Sequence, residues 1–221
     1  MADSSPGGIL HYDRGKYKDD GEFVIDSHVN KPPSILLKAV EMLQSDHDFK
    51  EGEMIRYISE VTEKSRKLPA LKEYRFPGRD KDQLFRRDFD HVRGEDCSSC
   101  DSKETEKRLG RDSDDPAVHY GLIASGDAVM RSAQRRDELR DEWNVICFEM
   151  EAAGVMDIDN FPCIVVRGIC DYSDNHKNKR WQPYAAVAAA AYAKDLLRIV
   201  QPEQVQVMEP AIDLIKECRS T

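Results

Sequence analysis

Three short segments each end an apolar run on an acidic residue: Ile123-Ala124-Ser125-Gly126-Asp127, Cys147-Phe148-Glu149-Met150-Glu151 and Gly168-Ile169-Cys170-Asp171. Acids so placed can do two kinds of chemistry. An ionised carboxylate accepts two hydrogen bonds from a vicinal diol, the arrangement of ribose hydroxyls. In Glu149-Met150-Glu151 the intervening Met adds a soft apolar floor for a sugar face. A carboxylic acid kept protonated by partial burial can instead protonate a departing heterocycle. Asp171, preceded by apolar Ile169 and Cys170, suits that task. Blander readings stand beside these. Glu149 and Glu151 could simply favour the first turn of a helix through its dipole. Asp171, in Asp171-Tyr172-Ser173-Asp174, could simply close an Asx-type turn. In Ser125-Gly126-Asp127, Asp127 reads as a helix cap and Gly126 as a point of close backbone approach. The segment lacks the glycine-rich run and Lys of a phosphate loop.

These residues need strands to carry them. Val118 to Ala124, Val145 to Phe148 and Cys163 to Ile169 read as buried parallel strands. Helical patterns follow over 130–142, 150–157 and 183–200, the last opening at Pro183 and rich in Ala from 185 to 193. Such alternation predicts an α/β domain with a parallel sheet, and ligands bind beyond the carboxyl ends of such strands. Asp127, Glu151 and Asp171 are therefore expected along one sheet edge, around one nucleoside-sized pocket. Upstream, Gly8 to Asp13 and Glu22 to His28 are expected to pair across the polar turn 16–21. Lys31-Pro32-Pro33 opens a helix carrying Ile35, Leu36, Ala39, Val40 and Leu43. A second helix is expected from Glu53 to about Lys64. Residues 201–221 read as a linker with one short amphipathic helix around Ala211 to Ile215.

Composition narrows the function classes. Of 221 residues, 40% are apolar and 34% charged, enough for one sizeable core. A net charge of -9 argues against general nucleic-acid or anionic-membrane binding. Lys177, Lys179 and Arg180 are a local exception. Without a transmembrane-length apolar run or a leader-like start, the expected compartment is the cytosol, or cytosol and nucleus.

Residues 66–116 change character, being rich in charge, Pro and Gly with poor periodicity. They read as an irregular excursion with few periodic anchors, Leu84-Phe85 and Phe89 tacking part of it down, and so as the most mobile internal stretch. Within them lies Cys97-Ser98-Ser99-Cys100, with His91 upstream. A closed zinc site needs four ligands and no second Cys pair is present, so no metal is expected and two reduced thiols closing a turn are favoured over a zinc-dependent interaction module built on Cys97 and Cys100. Cys147, Cys163 and Cys170 read as small buried thiols in a reducing compartment.

Taken together, His119 to Asp127, Phe148 to Gly154 and Arg167 to Asp174 resemble the nucleoside phosphorylase family, the purine and uridine phosphorylase superfamily that includes methylthioadenosine nucleosidases. His176 to Ala186, Tyr12-Asp13 with Gly15-Lys16, Asn30 to Pro33 and Asp96 to Asp101 resemble its fungal branch. The resemblance covers roughly 8–200 and implies a three-layer α/β/α sandwich around a mixed, largely parallel sheet. It implies that Glu151 binds the ribose hydroxyls, Met150 packs on the ribose and Asp171 is the acid at the purine. Phe148, Glu149 and Val129 would line the same pocket, with Ser125, Gly126 and Asp127 at its strand end.

The implied activity is cleavage of the N-glycosidic bond of a purine nucleoside or nucleotide. No cofactor is expected, and phosphate or water would be the attacking co-substrate. A homo-oligomer is the expected assembly. In the fungal branch the domain often heads a longer chain, before a nucleotide-binding switch domain and repeats. A non-catalytic nucleoside-sensing or oligomerising module is therefore the rival reading. The family domain also opens with a βαβ portion carrying a glycine-rich phosphate-site segment. It has no counterpart in this sequence, which by the resemblance starts at a mid-sheet strand, Gly7 to Tyr12, so the domain is expected to be incomplete at its N-terminus, with little or no phosphorolysis.

Overall fold

The computed structural model describes residues 8–26, 31–49, 52–156, 163–202 and 205. Three parallel strands, β1 (Ile9–His11), β4 (Leu122–Ser125) and β5 (Val145–Glu149), form one sheet in the order β1-β4-β5. β2 (Gly15–Tyr17) and β3 (Phe23–Ile25) form a separate antiparallel hairpin. Gly8 to Asp13 thus does not pair with the described part of the 22–28 segment, residues 22–26, as expected. β1 lies instead beside β4, with His11 opposite Ser125, and only Gly15 to Tyr17 closes on Phe23 to Ile25. A buried position explains this: Ile9 and Leu10 are 3% and 0% exposed, whereas the hairpin is largely solvated. Apolar residues follow the available core rather than the nearest turn.

Side chains alternate across the sheet, as strand geometry requires. Leu10, Leu122, Ala124 and Val145 face one cluster with Leu139 of α3 (Ala133–Trp143). Ile9, Ile123 and Cys147 face another with Ala152 of α4 (Ala152–Met156) and with Cys163 and Val165. A third cluster joins α1 (Ser34–Phe49), α2 (Glu53–Lys67) and α5 (Gln182–Ile199), with Ile164 and Val166 packed against it. The chain is therefore an α/β layered structure around a parallel sheet. α3 stops where Asn144 adopts a left-handed conformation and its N–H bonds the Arg140 carbonyl, a role Asn fills with little strain. Of the helix expected over 150–157, residue 157 lies outside the described residues, and so does the whole of the short helix expected around Ala211 to Ile215.

Two expectations need correction. Residues 163–170 form no hydrogen-bonded strand. Their sides still alternate, with 163 and 165 toward α4 and 164 and 166 toward α5. Burial, not a backbone ladder, holds this extended run. Residues 66–116, read as weakly anchored, contain four short 3₁₀ turns and are fastened by rings. Phe85 is 2% exposed and stacks on His176 and Phe89. Phe76 packs edge-on against Trp181 and Tyr184. Aromatic anchors so widely spaced leave no periodic signal.

One glycine sets how closely the extended run meets α5. A Cβ on Gly168 would stand 1.9 Å from the Ala185 carbonyl oxygen. Both partners there are backbone, so neither can swing aside. Gly168→Ala should destabilise the chain by about 1–3 kcal/mol, read as a lowered denaturation midpoint at unchanged m-value.

Candidate functional site

The carboxyl ends of the three strands line up. His11, Ser125 and Glu149 are opposite one another in register. Just beyond them the chain turns out of the sheet, and the polar groups converge. Glu149 is buried, and its Oε2 accepts hydrogen bonds from the Glu151 and Ala152 N–H groups at 2.9 and 2.8 Å. It therefore caps α4. Its Oε1 is buried and has no hydrogen-bond partner. Ser125, fully buried, accepts from the Ala153 N–H at 2.9 Å. These contacts aim Met150 and Glu151 outward: Met150 is 43% exposed and Glu151 is exposed. The two acids of Glu149-Met150-Glu151 thus divide the work, one shaping the turn and the other facing solvent.

Gly126 gives close approach, as expected, since a Cβ there would meet the Tyr12 ring at 2.7 Å. Tyr12 in turn packs edge-on against Phe148, and its hydroxyl donates to the Ala128 carbonyl at 2.7 Å. Asp127 does not cap α3. Ser132 does, accepting from the Arg135 N–H at 3.1 Å. Asp127 instead donates its own N–H to Asp13 Oδ2 at 2.6 Å, and Asp13 also pairs with His11. The cap shifts because α3 begins a turn later than the sequence pattern placed it. Val129 is 54% exposed beside these residues.

Each acid of the proposed chemistry has a basic partner from the extended run or the loop after it. Glu151 Oε2 accepts from Arg167 at 2.9 Å. Asp171 Oδ1 accepts from Lys177 at 2.7 Å and from the Ser173 N–H at 2.9 Å. The Asx turn is therefore real. Burial pushes the Asp171 carboxyl up, but the Lys177 ammonium and the Ser173 N–H outweigh it and hold the group below the usual aspartate range. The raised value expected from an apolar setting is overturned. Part of that setting is missing, since Ile169 is 54% exposed. A shallow depression of about 490 Å³ lies over Lys16 to Asp20 on the hairpin, and none of the site acids lines it.

The loop carrying Asp171 is clamped by the 66–116 excursion. Tyr172 hydrogen-bonds Asp82 and Arg108, and burial with the Asp82 charge pushes its phenol up to about 12. Asn175 donates to Asp90 at 2.9 Å, Arg180 meets Asp96 at 3.4 Å and the Trp181 indole donates to the Lys81 carbonyl at 3.0 Å. Arg136 of α3 adds a bond to the Tyr172 carbonyl at 2.8 Å. Arg167, Asp13, Tyr12 and Asp82 were not singled out from sequence as site residues. Arg167 was legible in part, four residues before Asp171 in a quoted motif.

Residues 90–201 match the family model described as the Phosphorylase superfamily. The chain belongs to this superfamily. It is similar to a nucleotide-binding leucine-rich repeat (NLR)-like protein of Hyaloscypha variabilis, 39% identical over 206 residues, covering 93% of this chain and 20% of that protein. It also resembles the ATP nucleosidase Cap17 of Escherichia coli, 36% identical over 85 residues, or 37% of this chain and 17% of that one. A third relative is the aminodeoxyfutalosine nucleosidase of Helicobacter pylori, 34% identical over 83 residues and 36% of each chain. The chain thus spans 20% and 17% of the length of the first two relatives. No solved structure matches. Membership of the phosphorylase superfamily agrees with the parallel sheet and with strand ends that gather acids. No helix among the described residues is long and apolar enough to cross a membrane.

Asp171 is the more telling acid to titrate. Its ion pair stabilises the fold fully above the ordinary aspartate pKa, and that contribution is lost as pH falls through the depressed folded value. Lys177→Met should move the Asp171 carboxyl upward, because burial then prevails. Carboxyl-detected NMR titration of both proteins reads the shift, and an unchanged Asp171 would show that Lys177 does not set it.

Proposed function

We propose that this domain cleaves the N-glycosidic bond of a purine nucleoside or nucleotide, with Glu151 on the ribose hydroxyls and Asp171 at the base. The observation that carries it is the pairing of both acids with displaceable bases, Glu151 with Arg167 and Asp171 with Lys177. A ribose diol reaching Glu151 replaces the Arg167 contact with two hydrogen bonds. A purine reaching Asp171 displaces Lys177, and burial, which pushes this carboxyl up, then becomes the dominant influence. Ligand binding itself thereby readies the acid. Freed of Lys177, the Asp171 carboxylate takes up a proton from solvent, and the glycosidic electron pair leaves with the base as Asp171 gives that proton to the purine. Water adds to the anomeric carbon and releases one proton, and nearby carboxylate charge stabilises the oxocarbenium-like sugar.

Water is favoured over phosphate by the state of the basic cluster. Arg180 is engaged by Asp96, and Lys177, released from Asp171 only as the base arrives, is a single ammonium on a flexible stem. They do not present an aimed anion site, and aim supplies much of the rate. The names of two relatives, both nucleosidases, support the same choice. The rival reading, nucleoside binding without cleavage, is favoured by the ionised Asp171 and by the likeness to an NLR-like protein.

Free base released from adenosine, inosine, AMP and ATP, with and without phosphate, decides between them. Phosphate-independent release is expected. Asp171→Asn should lower kcat by about 100-fold or more. Glu151→Gln should lower kcat/KM by about 10–100-fold. Binding without any base release would establish the sensing reading instead.

A further inference from the structure

We propose that His91, Cys97, Cys100 and His176 form a structural zinc site that pins the 66–116 excursion to the loop carrying Asp171. One ligand atom each from His91, Cys97 and Cys100 lies within 4.8 Å of the others. Tetrahedral zinc, with Zn–S near 2.3 Å and Zn–N near 2.0–2.1 Å, needs ligand atoms roughly 3.5 Å apart, so side-chain rotation of well under a rotamer step closes the site. The cysteine pair is already shaped for this. Cys97–Ser99 is a 3₁₀ turn in which the Cys100 N–H bonds the Cys97 carbonyl at 3.1 Å. Asp96 caps it through the Ser98 N–H at 3.0 Å.

The fourth ligand, which the sequence did not reveal, would come from His176, 79 residues after Cys97 and outside the 4.8 Å trio, so its ring moves in as the site closes. His176 is 7% exposed, and its Nε2 is buried without a hydrogen-bond partner. Such an orphan is costly unless something binds it. Its ring stands 5.5 Å from that of His91, centroid to centroid, at 68°. Two imidazoles on one tetrahedral zinc have centroids about 5 Å apart. The other nitrogen, Nδ1, faces Asp174 Oδ1 at 3.9 Å, the side on which metal-binding histidines carry their orienting carboxylate. His91 is oriented likewise, with Nε2 3.2 Å from the Asp96 carbonyl. Phe85 stacks on a face of the His176 ring at 4.2 Å, with the Phe89 ring near-parallel at 5.6 Å. Cys97 Sγ also lies 3.4 Å from the His176 carbonyl, so the two halves already touch.

Two nitrogens and two sulfurs in a half-buried tetrahedral set suit zinc over calcium, magnesium or a redox metal site. On binding, each thiol loses its proton to solvent as the thiolate–zinc bond forms, with no change of oxidation state. The excursion and the 171–181 loop are thereby joined. This site does not depend on the proposed glycosidic chemistry.

The test is zinc content of the purified chain by mass spectrometry, with titration of the metal-free protein by cobalt(II). About one zinc per chain is expected, together with a thiolate-to-cobalt charge-transfer band and tetrahedral d–d bands. Cys97→Ser and Cys100→Ser should each abolish that band. His176→Phe, which keeps the ring stack, should weaken metal affinity by at least about 100-fold. Metal-free protein with reactive thiols and no cobalt spectrum would overturn the proposal, as would a Cys97–Cys100 disulfide in the purified chain. Unchanged affinity in His176→Phe would overturn the four-ligand assignment even if the wild type binds zinc.

Discussion

The parallel register of β4 with its two neighbours is the constraint on which the site depends. It places His11, Ser125 and Glu149 in one row at the strand ends. From that row the buried carboxylate of Glu149 and the buried hydroxyl of Ser125 reach forward to the first N–H groups of α4. A helix this short has no stability of its own. Its start is held by two side chains rooted in the sheet. A slip of one residue would send Glu149 to the opposite face and uncouple the helix from the strand. Glu151 would then lose its outward aim and its place opposite Arg167.

A second constraint works through opposed preferences at Asp171. Burial disfavours its charge and Lys177 favours it, and in the ligand-free chain Lys177 prevails. The balance is local and reversible, because the ammonium sits on a flexible stem while the burial is fixed by the surrounding loop. That loop is braced by the excursion through Tyr172, Asn175, Arg180 and Trp181. The excursion therefore acts as a brace for the acid. Its 3₁₀ turns and dispersed rings suit that work, since a brace must meet many points on a loop and none of a regular helix face.

Much of this was legible before any coordinates. The strands at 122–125 and 145–149 announced themselves as apolar runs ending in acids, and α1, α2 and α5 by their stripes and prolines. Ser125 and Glu149 were picked out by position at strand ends, where they stand, whereas Asp171 was expected at the end of a strand that does not form. The family resemblance placed β1 in the main sheet, but local pattern did not, because nearest-turn reasoning favours a hairpin while parallel pairing with a strand over a hundred residues away is invisible to it. The 163–170 run carries a strand's alternation without a strand's hydrogen bonds, a distinction side-chain types cannot express. The depressed Asp171 also escaped, since Ile169 and Cys170 suggest an apolar pocket while Lys177, six residues later, returns to bind it. His176 was legible only as the head of a family motif beside a basic cluster, and its packing against Phe85 and Phe89 is a tertiary fact.

The central claim is that Glu151 and Asp171 together hold one purine nucleoside by exchanging their basic partners for it. A crystal structure of the domain with a non-cleavable purine nucleoside analogue tests this most directly. The ribose hydroxyls should lie on Glu151 with Arg167 displaced, and the base should lie on Asp171 with Lys177 displaced. An analogue bound elsewhere, with the Glu151–Arg167 and Asp171–Lys177 pairs both intact, would contradict it.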